Sequence, residues 1–228
     1  MLIHLRSGVT LRFDRVCQKL RCALLYSPGG MHASMVRGQP VAAYIDLGEL
    51  ERLRKDTLRC YLPRQYNPLC YTIWDNRWKK LDPPEPLHDP YIFALLIAVA
   101  QEKRKHLQEA NFTPEPQTNF VSSQVLCSFK SKEHLRLYTA NIPSSLLEMF
   151  NDPSWSPPSP FSVSIQIYVV PISPEHTLRA RLLRLLCSSH IPHGRKRSLD
   201  DDSSDLSPPT KLGRIDSNQH CEVHPIII

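Results

Sequence analysis

The chain has 228 residues, a length that suits one globular domain with appendages rather than several domains. Its formal charge of +6 is compatible with nucleic acid, an anionic surface or an acidic protein as partner, and does not select among them. The odd number of cysteines, without a CxxC pair, argues against a secreted disulfide framework and indicates a reducing compartment. The longest apolar run, residues 91–100, is far shorter than the roughly 20 residues that cross a bilayer, so no membrane partner is predicted.

Residues 1–39 are basic and are predicted to form a poorly ordered N-terminal segment. A basic amphipathic helix is an alternative, because apolar residues recur there at helical spacing: Val9, Phe13, Val16, Leu20 and Leu24. The composition also resembles a mitochondrial transit peptide, which is rich in Arg and poor in acidic residues. Gly38 and Pro40 mark a boundary, so the folded body is predicted to span residues 40–188.

Two helix starts and one short strand are predicted in the first half of this body. Asp46 is a suitable cap for a helix that continues to about Cys60 with leucines near one face. Residues 71–74 are rich in β-forming side chains and predict a short strand. Asp89 with Pro90 is the strongest helix start in the chain. The first turns of that helix are apolar almost all round, so we expect them to lie inside the domain.

The second half predicts strands interspersed with helices. Residues 120–129 and 135–141 are β-like and are predicted to pair as a hairpin. A short helix then ends near Phe150, and residues 161–170 alternate apolar and polar side chains as a half-buried strand does. A final helix begins near Pro174. The predicted fold class is therefore α/β in the broad sense (α+β), with helices packed on a small mixed or antiparallel sheet.

Residues 189–228 are predicted to form a disordered tail with a basic cluster, Arg195-Lys196-Arg197. The acidic and Ser-rich run that follows cannot bury enough apolar surface to fold. Lys211 and Arg214 come after a spacer, so the set resembles a loose bipartite nuclear import signal. The tail therefore predicts a nuclear protein that binds an import receptor, with the cytoplasm or the mitochondrion as alternative compartments.

Two serines of the tail resemble kinase sites. Ser198 has acidic residues at the second to fourth positions after it, and Ser207 precedes a proline. A phosphate on Ser198 would add about −1.5 to −2 charge beside the basic cluster. The sequence therefore predicts an import signal that phosphorylation can mask.

No catalytic group, metal or cofactor is predicted. The spacing of His, Cys, Ser and Asp orders no nucleophile with a base, and the common phosphate-binding loop motifs do not occur. The His and Cys residues near position 220 match no strong zinc spacing. The order of elements over residues 89–170 resembles an incomplete PD-(D/E)XK nuclease core. Ser128, however, stands two positions before Lys130, where such a nuclease has a metal-binding acid.

A surface that binds nucleic acid is an alternative for the body. Its cations would contact phosphates, and its aromatic side chains would stack on bases. The candidate residues are Arg52, Arg54, Lys55 and Arg59, with Tyr71, Trp74 and Trp78. The competing interpretation places these aromatic side chains in the core.

Four segments resemble a family of filamentous-fungal proteins of Aspergillus type: residues 44–47, 89–98, 137–143 and 164–168. The family includes the hypoxia-responsive morphology factor and relatives linked to its subtelomeric gene cluster, and the resemblance covers residues 40–187. It implies a nuclear protein that influences hyphal surface, colony and biofilm morphology through gene expression. The favoured hypothesis is a non-enzymatic nuclear regulatory or adaptor protein with a protein or RNA partner. A divergent PD-(D/E)XK-like nuclease and an RNA-binding module are the alternatives.

Overall fold

The computed structural model describes residues 4–26, 38, 40–59, 67–83, 88–109, 119–129, 133–156, 162–188 and 221–227. For residues 4–6, 187–188 and 221–227 it describes the backbone alone. Within these ranges the elements are, in chain order, β1 His4–Phe13, β2 Val16–Tyr26, β3 Pro40–Asp46, α1 Leu47–Leu58, α2 Pro68–Leu81, α3 Pro90–Glu109, β4 Phe120–Ser128, β5 His134–Pro143, α4 Ser144–Asn151, β6 Ser162–Pro171, α5 Glu175–Ser188 and β7 Cys221–Ile227.

The strands form one seven-stranded sheet whose spatial order follows the chain from β1 to β7. β3 and β4 are parallel, and each of the other neighbouring pairs is antiparallel. A parallel pair needs a long crossover, and here the crossover contains α1, α2 and α3. The predicted α+β class, with helices packed on a mixed sheet, is confirmed.

α3 lies inside the domain, as its apolar composition predicts. Its residues 95–100 are each at most 2% exposed. The helix contacts β1 as well as β3, β4 and β5. Because β1 and β4 are separated by two strands in the sheet, their shared contact with α3 requires the sheet to curve around the helix. The curved sheet packs against α3, and the burial of residues 95–100 explains why apolar side chains extend most of the way around this part of the helix.

The helix starts predicted at Asp46 and Asp89 are confirmed. Asp46 Oδ1 accepts a hydrogen bond from the amide of Glu49 at 3.0 Å, and Asp89 Oδ1 accepts one from the amide of Tyr91 at 2.9 Å. Each carboxylate thereby satisfies an amide that has no partner within its helix. The predicted hairpin, short helix, alternating strand and final helix are also present, as β4–β5, α4, β6 and α5.

The prediction of a strand at residues 71–74 is wrong, because this segment lies within α2. Asn67 caps the helix, with its Oδ1 accepting hydrogen bonds from the amides of Leu69 and Cys70. Pro68 occupies the first turn, where its fixed φ favours a helix and its missing amide costs nothing. This local start signal outweighs the β-propensity of the residues that follow.

The prediction of a poorly ordered or helical N-terminal segment is also wrong for residues 4–26, which form the antiparallel hairpin β1–β2. The strands are joined at Asp14 and Arg15, and Asp14 has a left-handed φ of 50° that Asp tolerates better than most residues. Buried Leu20 and Leu24 are four residues apart, a spacing that fits either one helix face or one strand face. Since β2 pairs with β3, the folded unit begins well before residue 40.

Two side chains of α3 hold the main chain of this hairpin. The Tyr91 hydroxyl accepts a hydrogen bond from the Arg21 amide at 2.8 Å and lies 3.3 Å from the Arg21 carbonyl oxygen. Gln101 bonds both backbone groups of Arg12, at 3.0 and 2.9 Å. Each side chain therefore bonds main-chain groups of the hairpin that a neighbouring strand would otherwise bond.

We expect Tyr91→Phe to lower the free energy of unfolding by about 1–2 kcal/mol, since each lost hydrogen bond contributes roughly 0.5–1.5 kcal/mol. Equilibrium urea unfolding measures this change. Hydrogen exchange of the Arg21 amide should become faster, whereas exchange of the Arg12 amide, which Gln101 holds, should not change. An unaltered exchange rate at Arg21 would show that Tyr91 does not hold the hairpin.

β7 runs antiparallel to β6, from the pair Tyr168–Cys221 to the pair Ser162–Ile227. These residues belong to the tail that the sequence predicts to be disordered, so the backbone of 221–227 departs from that prediction. Residues 189–220, which include the basic cluster, lie outside the described residues.

Candidate functional site

The residues predicted to contact nucleic acid lie on two neighbouring helices, and we call this set of residues the α1–α2 surface. It comprises Arg52, Arg54, Lys55 and Arg59 in or directly after α1, and Tyr71, Trp74 and Trp78 in α2. The two helices contact each other, so the fold does bring the predicted residues together.

Most cations of the α1–α2 surface are paired with acidic side chains of the same helix. The guanidinium of Arg52 lies 2.6 Å from Glu49 and 3.2 Å from Asp56. Its hydrogen bond to Glu49 lowers the pKa of that carboxyl group and raises the pKa of Arg52. Similar pairs join Lys55 to Glu51 at 2.6 Å and Arg59 to Asp56 at 3.7 Å. A phosphate would have to displace these carboxylates, and this competition lowers the affinity of the cations for nucleic acid.

Arg54 faces inward instead of toward solvent. Its Nη2 lies 2.5 Å from Oδ1 of Asp89, and the two side chains are 17% and 4% exposed. Asp89 is also the cap of α3, so Arg54 links α1 to the start of the central helix. Its position indicates a structural role.

The two tryptophans of α2 contact each other and α1. Their rings are stacked with centroids 6.0 Å apart and planes 6° from parallel. Nζ of Lys55 lies 5.3 Å from the centre of the Trp78 ring, within the range of a cation–π contact. Trp74 Nε1 is buried, with no hydrogen-bond partner in the described ranges. This geometry fits the interpretation that the two tryptophans serve packing, whereas Tyr71 is 41% exposed. Base stacking by any of the three stays a prediction.

The outward side of α2 carries an apolar feature that the sequence analysis missed. Leu69, Ile73 and Leu81 are 74%, 48% and 44% exposed, and none of the residues of α2 is buried. Leu69 and Ile73 are four residues apart and lie on adjacent turns of one side of the helix, and Leu81 lies two turns further along, about 80° around the axis from Ile73. We call this set the α2 stripe. The cap signal of Asn67 and Pro68 was the available indication that this segment is helical.

The carboxyl ends of the parallel strands β3 and β4 hold a second polar cluster. Ligands often bind at this edge of sheets with parallel strands. Ser128 Oγ donates to Asp46 Oδ2 at 2.5 Å and lies 2.9 Å from the hydroxyl of Tyr44. The adjacent Cys127 is fully buried, and desolvation raises the pKa of its thiol well above the usual range. A protonated thiol without solvent access is a poor nucleophile, so this cluster supports the α1 cap and offers no evident chemistry.

The nuclease alternative requires a metal site, and the part of the chain that the structure describes contains none. No group of three or more His, Cys, Asp or Glu side chains there is arranged to hold a metal ion. Ser128, at the position where the nuclease motif has an acid, is engaged with Asp46. None of the described helices is long and apolar enough to cross a membrane.

The β1–β2 hairpin carries four further exposed cations: Arg12, Arg15, Lys19 and Arg21. The sequence analysis noted the basic composition of this segment but placed it outside the folded body. Besides Arg52, the charge of Arg21 also lowers the pKa of the Glu49 carboxyl group, so part of the hairpin lies near α1.

The predicted import and modification residues lie outside the described part of the chain: Arg195, Lys196, Arg197, Ser198, Ser207, Lys211 and Arg214. Their roles stay predictions. Comparison with known proteins finds no family model, no curated protein and no solved structure that matches the chain.

Proposed function

We propose that the chain is a non-enzymatic nuclear regulatory or adaptor protein that binds a protein partner through the α2 stripe. The observation that carries this proposal is the exposure of Leu69, Ile73 and Leu81 on a helix that buries none of its own residues. Burial of one large apolar side chain contributes about 1.5–3 kcal/mol, so the three side chains of the α2 stripe can together anchor a partner.

The state of the polar groups supports binding over catalysis. The cations of α1 are engaged with Glu49, Glu51, Asp56 and Asp89, and the Ser128 hydroxyl is engaged with Asp46. Each of these contacts has a structural explanation: ion pairs along α1, the link from Arg54 to the start of α3, or the support of the α1 cap. The resemblance to fungal morphology factors supports an effect on gene expression, with consequences for hyphal surface, colony and biofilm morphology.

The proposed compartment is the nucleus, and Arg195-Lys196-Arg197 is the proposed nuclear import signal. Three adjacent cations without apolar neighbours suit the acidic groove of an import receptor. Phosphorylation of Ser198 would place negative charge beside these cations and weaken import.

Expression of tagged full-length variants in a filamentous fungus tests both parts of the proposal. We expect Leu69→Glu/Ile73→Glu to reach the nucleus as the wild type does but to lose its effect on transcripts, as RNA sequencing would measure. Leu107→Glu is the matched control, because Leu107 is an apolar residue of α3 that is 37% exposed. It should keep the transcript effect. Arg195→Ala/Lys196→Ala/Arg197→Ala should lower the nuclear fraction.

Three results would contradict the proposal. An unchanged transcript pattern in Leu69→Glu/Ile73→Glu would exclude the α2 stripe as the functional surface. An unchanged nuclear fraction in the triple Ala variant would show that the basic cluster is not the nuclear import signal. Magnesium-dependent cleavage of nucleic acid by the purified wild-type chain would favour the nuclease alternative.

A further inference from the structure

The end of the β1–β2 hairpin is a basic surface that is separate from the α2 stripe. Its residues 12–19 are all exposed, and we call this segment the hairpin tip. Phe13 adds an aromatic side chain that is 48% exposed. The charged residues of the hairpin tip are three cations and one acid: Arg12, Arg15, Lys19 and Asp14. The hairpin tip therefore presents positive charge together with an aromatic ring.

Two of these cations share one face of the hairpin. Leu11 of β1 and Leu20 of β2 pack in the core around α3, and side chains alternate between the two faces along each strand. Arg12 and Lys19, which adjoin these leucines, therefore lie on the face that points away from α3. They are diagonal neighbours across the two strands, a relation that places residues about 7–8 Å apart. Both cations are thus presented to the same side of a ligand.

The opposite face of the hairpin tip is held by α3 and α4. The rings of Phe13 and Phe150 meet edge to face, with centroids 5.5 Å apart. The amide of Asp14 donates to the carbonyl oxygen of Phe150 at 2.7 Å, and Gln101 bonds both backbone groups of Arg12. These contacts fix the main chain of the hairpin tip before any ligand binds, which lowers the entropic cost of binding.

A single strand of nucleic acid suits this arrangement better than other polyanions. Its phosphates attract cations, and its unstacked bases can stack on an aromatic ring such as Phe13. A flexible strand can pass around the end of a narrow hairpin and contact both faces, whereas a duplex is stiff over about 150 base pairs and meets one face. An anionic membrane also meets one face, and each cation contributes only about 1 kcal/mol there.

We propose that the hairpin tip binds single-stranded nucleic acid. Arg12, Arg15 and Lys19 contact phosphates, and Phe13 stacks on one base. This activity goes beyond the proposed adaptor function, because it uses the opposite end of the described chain from the α2 stripe in the order of elements and a different chemistry.

Fluorescence anisotropy of the purified full-length chain tests the proposal, with a labelled polyuridylate of about 20 nucleotides, which exceeds the sites of about 4–16 nucleotides that such proteins cover. We expect a Kd of about 1–100 µM at physiological salt, the range for binding through phosphates. The logarithm of the association constant should fall against the logarithm of salt concentration with a slope at least as steep as about −2, since each phosphate contact on a single strand contributes about −0.7.

Arg12→Gln/Lys19→Gln should weaken binding at least about tenfold and make the slope shallower by about 1.4, the contribution of two phosphate contacts. The main-chain bonds from Gln101 do not depend on the Arg12 side chain and are kept. Arg52→Gln/Lys55→Gln is the matched control, because it removes the same charge from α1, where carboxylates hold both cations. It should bind as the wild type does.

Phe13→Leu keeps an apolar contact with Phe150 but removes the aromatic ring. We expect binding to weaken at least about fivefold, because stacking contributes about 1–3 kcal/mol per base. The salt slope should not change, since no charge is lost. If the Tm shows that Phe13→Leu does not fold, the comparison of the two double variants still decides the proposal.

The proposal is overturned if polyuridylate does not bind, or if both double variants lose the same affinity, which would assign binding to net charge. Equal or tighter binding of a duplex RNA of the same length would contradict the contact with unstacked bases. Tighter binding to phosphatidylserine vesicles, or equal competition by polyglutamate, would assign the hairpin tip to membranes or acidic proteins instead. All variants keep the α2 stripe and the basic cluster, so the adaptor function is tested separately.

Discussion

Replacement of Arg54 by Met is expected to lower the free energy of unfolding by about 3–5 kcal/mol, the range for removal of one partner of a buried ion pair. The remaining carboxylate of Asp89 is 4% exposed and would be left without its cation at the start of the central helix. The free energy of unfolding of a domain is typically about 5–15 kcal/mol, so this one substitution would remove a large part of it.

Arg52→Met is the matched control, because Arg52 lies in the same helix but is 57% exposed and forms its ion pairs at the surface. We expect its urea unfolding curve to stay close to that of the wild type, because ion pairs at the surface contribute little to stability. Asp89→Asn combined with Arg54→Met should recover part of the lost stability, since the buried charge is then absent and the amide oxygen can still cap α3. Equal, small effects of Arg54→Met and Arg52→Met in urea unfolding would refute the buried pair.

The sequence predicts the parts of the fold that depend on neighbours in the chain. Asp46 and Asp89 are recognisable caps because the amides that they bond lie two or three residues further along. The alternation in residues 161–170 likewise identifies β6 without knowledge of its partners. Asn67 and Pro68 are an equally local start signal for α2, and this signal outweighs the β-propensity of residues 71–74.

The hairpin β1–β2 was harder to predict because its evidence is not local. Leu20 and Leu24 fit a helix face as well as a strand face, and the choice between them depends on pairing with β3 and on contacts from Tyr91 and Gln101 of α3. Those contacts join residues that are 70 and 89 positions apart in the chain. No pattern within residues 4–26 contains that information.

The candidate sites depend still more on tertiary structure. Arg52 and Arg54 look equivalent in the sequence, yet one is paired at the surface and the other binds a buried carboxylate, because only Arg54 faces the start of α3. The difference comes from Asp89, which lies 35 positions further along the chain, so the local sequence around the two arginines does not contain it.

Lys103 is expected to destabilise the folded chain, and Lys103→Met should raise the free energy of unfolding by about 2 kcal/mol at pH 7. The side chain is 8% exposed, and Nζ donates one hydrogen bond to the Ser122 carbonyl oxygen at 2.8 Å. Desolvation lowers the pKa of its amine from 10.5 to about 8. At about 1.4 kcal/mol per pKa unit this corresponds to roughly 3 kcal/mol. Loss of the hydrogen bond to Ser122 offsets about 1 kcal/mol of the gain.

The dependence on pH distinguishes this burial effect from a simple change in packing. Because the pKa of Lys103 is lower in the folded chain, the unfolded chain binds more protons between pH 8 and 10.5. The penalty is complete below pH 8 and decreases as the pH rises through that window, so the advantage of Lys103→Met should shrink toward pH 10.5. Lys105→Met is the control, since Lys105 is 47% exposed beside Glu109. Urea unfolding of the three proteins from pH 7 to 10.5 should show a shrinking difference for Lys103→Met alone, and the same pH dependence in both variants would refute the burial of a protonated amine.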